Sequence, residues 1–211
     1  MSNRFFVIVL IIIAVIGGAV FFSKSSDQAP ANNSQLSEVK TGEGTTGVTL
    51  VEWGDFQCPA CASYYPIVKQ IKEKYGDKIT FQFRNLPLSE IHPHAILAAR
   101  SAMAADKQGK FWEYHDLLYE NQRSWTDLSD ATEVFDGYAE QLELNMDQFR
   151  ADRASDEVNS IVQADRAEAQ RLGFTGTPTF VLDGQKLDPT PQSFDEFVKK
   201  INEAIAAKQN Q

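Results

Sequence analysis

Hydrophobic and polar positions change their spacing several times along this chain, and each change marks an element. The first apolar block, FFVIVLIIIAVIGGAVFF at residues 5–22, runs for 18 positions without a charge. As a helix it would span roughly 27 Å, close to the thickness of a bilayer core. It is apolar all round, unlike the one-sided stripe of a helix packed in a soluble core. Residues 1–22 therefore read as a transmembrane signal-anchor or a signal peptide, with Ala-Pro-Ala at 29–31 as a small-x-small cleavage candidate. Residues 23–46 lose periodicity and fill with Ser, Asn, Gly and Thr, the composition of a flexible linker.

Regular spacing returns at residue 47. GVTLVEW predicts a short buried strand around Val48, Leu50 and Val51. Residues 58–75 repeat at helical spacing through Tyr65, Val68, Ile71 and Lys72, with Pro66 expected to kink the helix or cost it one bond. KITFQFRNL alternates, which predicts a second strand, parallel to the first across the intervening helix. Residues 92–172 carry helical periodicity, with Gly109, Gly137 and Gly173 as candidate breaks. TPTFVLDGQKL then gives a strand at 179–182, a tight Asp183-Gly184 turn and a return strand. A last amphipathic helix begins at Ser193, with Glu196 placed to complete a capping box. The order β-α-β, helical block, β-β-α suits one mixed sheet with helices packed on it.

Charge narrows the partners. Twenty-nine acidic residues against 20 basic give a net charge of −9, which repels phosphate backbones, so no nucleic-acid partner is expected. No glycine-rich phosphate loop and no CxxCH stands in the chain, and no cofactor is expected. The apolar N-terminal block places the remainder outside the cytoplasm, in the periplasm or at the cell surface. It would be membrane-anchored if the block is retained and secreted if it is cleaved.

The only two cysteines, Cys58 and Cys61, stand three apart in DFQCPACASYY. A structural staple would close a loop too short to remove much chain entropy. A metal site could recruit His92, His94 and His115, but their spacing is not that of a second ligand pair, and surface or helix-cap roles suit them better. A redox pair has a physical rationale. Cys58 falls where a loop enters a helix, so free amides and the helix dipole favour a thiolate. Pro59 in the first turn costs no backbone bond, and Cys61 lies one turn on. Outside the cytoplasm such thiols meet an oxidising environment.

VEWGDFQCPAC, followed far downstream by GFTGTPTFVLDG, resembles the DsbA-like branch of the thioredoxin superfamily. The helical residues between also look like that branch, and the likeness covers about residues 47–207. It implies an α/β thioredoxin-like fold with an inserted α-helical domain at about 92–172, after the N-terminal transmembrane or signal helix. It also implies a thiol–disulfide oxidoreductase introducing disulfides into extracytoplasmic proteins. Cys58 would be the exposed nucleophile and Cys61 the buried resolving thiol. Glu52 would assist proton transfer, and Thr177 with a cis Pro178 would bind substrate backbone. Its partners would be unfolded or reduced client proteins and a quinone-linked membrane reoxidase. Trp53 and Phe56 read as packing residues, with substrate contact as the alternative. Ala60 stands where the best-known oxidase of the branch has histidine, so a less extreme potential is expected. Reductase or isomerase chemistry at the same pair, or a non-catalytic peptide-binding module, remain the alternatives.

Overall fold

The computed structural model describes residues 35–210. The apolar block at 5–22 and the first part of the expected linker lie outside the described residues. Among the described residues no helix is long and apolar enough to cross a membrane. Five strands form one sheet: β1 (Lys40–Thr41), β2 (Val48–Gly54), β3 (Ile79–Asn85), β4 (Thr179–Leu182) and β5 (Gln185–Lys186). Their spatial order is β1-β3-β2-β4-β5. The central pair β2–β3 is parallel, with Leu50 beside Phe81 and Glu52 beside Phe83; β4 lies antiparallel on the other side of β2. Asp183 and Gly184, both at positive φ (49° and 82°), form the tight turn between β4 and β5.

Alternate residues of β2 face opposite sides of the sheet. Leu50, Phe81 and Phe180 join a core with helices α1 (Pro59–Tyr75) and α8 (Phe194–Gln209), which contribute Val68, Ile71, Phe197 and Ile201. Helix α1 runs unbroken through Pro66. Ser193 caps α8 by accepting the Glu196 N–H at 3.3 Å. The Glu196 carboxylate takes the N–H of Gln192 rather than that of the cap residue, so the reciprocal half of the box is shifted by one position.

The helical block comprises α2 (Ala95–Asp106), α3 (Phe111–Glu120), α4 (Gln122–Trp125), α5 (Thr132–Gln141), α6 (Met146–Ala154) and α7 (Asp156–Arg171). Gly137 sits inside α5 and breaks nothing. Buried alanines of α2 (Ala98, Ala99, Ala102, Ala105) present little bulk, which admits the aromatic side chains Trp125, Phe135 and Phe149 to the same core. The polar tips are satisfied: Trp125 Nε1 donates to the Leu118 carbonyl at 3.1 Å, and Tyr114 Oη to that of Phe135 at 2.8 Å.

On the other face of the sheet, Trp53 packs with Phe174, Leu86 and Ala169 of α7. At the end of β3, Asp165 of α7, fully buried, joins three segments. It accepts from Ser37 N and Oγ (3.0 and 2.5 Å), Arg84 Nη1 (3.2 Å), and Asn85 N and Nδ2 (2.9 and 3.1 Å).

The boundary expected at residue 47 needs correction. Residues 35–46 were expected in the linker, yet Ser37 and Val39 are buried and β1 pairs antiparallel with the outer edge of β3. Thr45 and Thr46 hydroxyls donate to the carbonyls of Asp77 and Lys78 at 2.5 and 2.7 Å. The cause is the open edge of β3, whose free backbone groups accept a short strand whatever its side-chain pattern.

Candidate active site

The chain leaves β2 at Gly54 and turns through residues 55–57 into α1. One buried carboxylate pins that turn. Asp55 accepts the N–H groups of Gln57 (2.8 Å) and Leu88 (2.9 Å), and its Oδ2 lies 2.7 Å from His92 Nδ1. Its carbonyl accepts the Cys58 N–H at 3.0 Å. From the helical block, the Gln122 side-chain amide donates to the carbonyls of Phe56 and Cys58 at 2.8 and 3.0 Å. Cys58 is thereby held at the N-cap of α1, φ −70° and ψ 122°, with Pro59 as the first helical residue.

Both cysteines are free thiols; Cys61 is fully buried as expected, but Cys58, expected to be exposed, is itself buried at 7% exposure. The Cys58 thiol is lowered to about 5. A hydrogen bond from the Cys61 thiol is the largest cause; burial opposes it, and hydrogen bonds from Thr177 and from the Cys61 and Ala60 backbone amides add to it. The helix-start amides thus contribute as the sequence suggests, but the neighbouring thiol contributes more. Burial pushes Cys61 well above an ordinary thiol, and the negative charges of Cys58 and Glu52 reinforce the rise. One sulfur of the pair is therefore ionised at neutral pH and the other is not.

Thr177 and Pro178 come from the loop before β4, 119 positions downstream, and their peptide bond is cis. As a thiol, Cys58 donates to the Thr177 carbonyl at 3.4 Å. The Thr177 hydroxyl is buried and has no partner among the described residues. Once Cys58 ionises it can no longer donate, and that hydroxyl becomes a donor for the sulfur.

Glu52 lies on the α1 side of β2, 2% exposed, and its Oε1 has no partner among the described residues. Burial raises its carboxyl to about 8; Lys72 pulls it down and the Cys58 charge adds to the rise. Trp53 points to the opposite face, edge-on to Phe174 at 5.7 Å, so it packs core. Phe56 is 1% exposed and stacks on Phe83 at 5.1 Å, beneath the loop rather than at a rim.

The three histidines do not converge. His92 binds Asp55, His94 Nε2 lies 2.8 Å from the Leu128 carbonyl, and His115 Nδ1 lies 2.9 Å from Asp116 Oδ1. The surface reading fails for His115, which is 1% exposed. The sequence did carry a signal: Phe111, His115, Leu118 and Tyr119 repeat at three- and four-residue spacing on one helix face.

An open cleft of about 620 Å³ lies between the first turns of α1 and the α3–α4 junction, lined by Pro59, Ala62, Ser63, Glu120 and Arg123 among others. A larger cleft of about 760 Å³ lies between the β4–β5 hairpin and α8, among residues that take no part in the thiol chemistry.

Comparison with known proteins supplies context for this geometry. A family model described as thioredoxin matches residues 34–203. A thioredoxin-like oxidoreductase from Silicibacter pomeroyi DSS-3 is similar at 26% identity with a TM-score of 0.66, covering 79% of this chain and 91% of that one. Wolbachia pipientis alpha-DsbA1 is 21% identical with a TM-score of 0.71, over 84% of this chain and 96% of that one. Oxidised BdbD from Bacillus subtilis is 22% identical with a TM-score of 0.67, over 79% and 92%. At those identities the last two bear on the fold. Among curated sequences, the Na(+)/H(+) antiporter NhaA 1 of Salinispora arenicola is 40% identical over 139 residues, 66% of this chain. The match covers 20% of that antiporter, so this chain spans only a fifth of the length of such relatives.

Proposed function

Because this chain belongs to the thioredoxin family, we propose that it is a thiol–disulfide oxidoreductase that introduces disulfides into proteins folding outside the cytoplasm. The observation that carries the reading is the inequality of the pair: Cys58 at the start of α1, ionised and next to the cis Thr177-Pro178 loop, and Cys61 buried and protonated behind it. In the oxidised protein, a client thiolate attacks Cys58 Sγ. The Cys58–Cys61 bond breaks, and Cys61 departs and takes a proton, for which the protonated Glu52 carboxyl is the donor. A second client thiolate then attacks the client sulfur of the mixed disulfide. Cys58 leaves readily because its thiol lies about two pH units below neutrality. Two client thiols become one disulfide, and the pair is left as a dithiol.

The same ionisation favours the oxidase direction. A thiol near 5 stabilises the reduced form at pH 7 by roughly 2.7 kcal/mol over an un-ionised one. That raises the reduction potential by roughly 60 mV. The backbone at Thr177-Pro178 would pair with extended client segments, which binds many sequences without reading their side chains. Reoxidation of the pair falls to a quinone-linked membrane partner, and the apolar segment at 5–22 would hold the domain at the membrane. Equilibration with glutathione tests the direction, with a potential above about −200 mV expected; a value near −270 mV, that of a thioredoxin, would reverse it. Cys61→Ala, first charged with glutathione disulfide so that Cys58 carries a glutathionyl group, should accumulate mixed disulfides with a reduced client protein as glutathione leaves, and Cys58→Ala should form none.

A further inference from the structure

His115 is a buried titratable group for which the chemistry above has no use, and its surroundings are unusual. Six aromatic rings enclose it: Phe56, Tyr65, Phe83, Phe111, Trp112 and Tyr119, at centroid distances of 5.0–5.9 Å. Asp116 holds one side of the ring through Nδ1 at 2.9 Å. Nε2 is buried and, among the described residues, has no partner. Burying a polar atom without a partner is costly, so this one needs a reason.

A buried polar atom of opposite character, Glu52 Oε1, is also unpartnered among the described residues. The two flank the same ring. Glu52 sits beside Phe83 in the β2–β3 register, and His115 lies edge-on to Phe83 at 5.2 Å. Gly54, two residues along the same face of β2, keeps this space open: a Cβ there would come within 2.5 Å of Phe83 and 3.1 Å of the Tyr119 hydroxyl. Their protonation states are complementary. Burial keeps the Glu52 carboxyl protonated, with a pKa of about 8, and holds the imidazole neutral, at about 4. Asp116 is lowered by its hydrogen bond to His115, so it is ionised and fixes the ring proton on Nδ1. Nε2 is then an acceptor, and the Glu52 carboxyl a donor. Asp116 itself has a side chain 28% exposed and opens to solvent.

We propose that His115 is a proton-relay residue, carrying the Cys61 proton between Glu52 and the surface carboxylate of Asp116. This rests on the oxidoreductase reading above and adds the path. When the dithiol is oxidised, Glu52 takes the Cys61 proton on one carboxyl oxygen as the proton on its other oxygen moves through one internal water to His115 Nε2, and the Nδ1 proton moves to Asp116 and on to solvent. Concerted transfer avoids an imidazolium inside the aromatic shell. It leaves the ring in the opposite tautomer, and the next client oxidation, which draws a proton inward to Cys61, resets it. The charged groups acting on the ring are Asp116 from α3 itself and Lys72 from α1; Tyr65 and Tyr119 pack on it, and Glu52, Asp55, Cys58 and Cys61 act on Tyr119 beside it. Lys72 lies over Trp112 at 4.0 Å and disfavours protonation of His115, which keeps the ring an acceptor.

The test separates two steps with glutathione disulfide as the probe. Attack by Cys58 depends on probe concentration; resolution by Cys61 does not. His115→Gln and Asp116→Asn should each slow resolution by about tenfold or more. Each should also reduce its solvent isotope effect and flatten its pH profile, with the Cys58 step unchanged. Wild-type resolution in both variants would overturn the relay, as would equal slowing of both steps, which marks a packing role. If His115→Gln fails to fold, the partly exposed Asp116→Asn decides alone. If the unaltered protein forms no mixed disulfide at Cys58, the oxidoreductase reading falls first.

Discussion

Two carboxylates are buried against this sheet, Asp165 and Glu52, and they have been treated in opposite ways. Asp165, under α7, accepts hydrogen bonds from three residues, Ser37, Arg84 and Asn85. Glu52, under α1, keeps an oxygen without any partner among the described residues and holds its proton to about pH 8. Burial alone therefore says little about role. A carboxylate whose lone pairs are all occupied works as a rivet, here between the N-terminal segment, β3 and the helical block. One left unsatisfied beside a reactive sulfur is free to exchange its proton.

The largest effect expected is from Asp165→Ala. It leaves Arg84 and two backbone donors without their acceptor and should cost about 3–5 kcal/mol in chemical denaturation. At this chain length that is roughly 6–20 °C in Tm. The reactivity of Cys58 in the folded variant should stay at the wild-type value.

A second comparison uses the two redox states. Between about 4.5 and 8, folded Glu52 keeps a proton that the unfolded chain has released, so stability falls as pH rises. Cys58 works the other way. Folded, it loses its proton near 5; unfolded, near 9; so its contribution to the reduced protein grows with pH over that window. In the oxidised protein Cys58 cannot titrate, which leaves Glu52 and, below about 6.5, His115, whose imidazole is held neutral at about 4 and whose contribution rises with pH equally in both forms. Urea unfolding of both forms from about pH 6.5 to 8 should therefore show the reduced protein nearly level and the oxidised one falling. The gap should widen by about 1.4 kcal/mol per pH unit. A constant gap would refute the ionisation of Cys58.

Glu52→Gln should reverse the sign seen at Asp165. Removing a carboxyl that must stay protonated is expected to raise the stability of the oxidised protein at pH 7 by about 1–2 kcal/mol and flatten its pH dependence. Resolution by Cys61 should slow by about tenfold or more. Smallest is Ser37→Ala, which removes one hydroxyl from the Asp165 cluster. It should cost about 1 kcal/mol and leave both thiol steps unchanged.

What the sequence disclosed follows the same division. The strands β2 and β3, the start of α1 and the helical span were legible because apolar spacing and turn residues are local signals. So was the placement of Cys58, read from Pro59 and the loop ahead of it. β1 was hidden because a two-residue edge strand, Lys40–Thr41, carries no period, and its partner supplies the reason for it. The Ser37–Asp165 contact spans 128 positions between two polar residues, which no pattern records. His115 was misplaced because a histidine amid helical aromatics was weighed by its charge and not by its position on the apolar face.

The outermost strands, β1 and β5, are two residues long. Under the proposed function the protein would repeatedly meet unfolded polypeptide, which could pair along its own margins. With so little free margin on either side, a visiting chain would find few consecutive backbone groups on which to zip, and residence would be restricted to the Thr177-Pro178 loop, where the sulfur chemistry could release it. The brevity of these strands would then act as quality control, favouring brief visits over co-assembly.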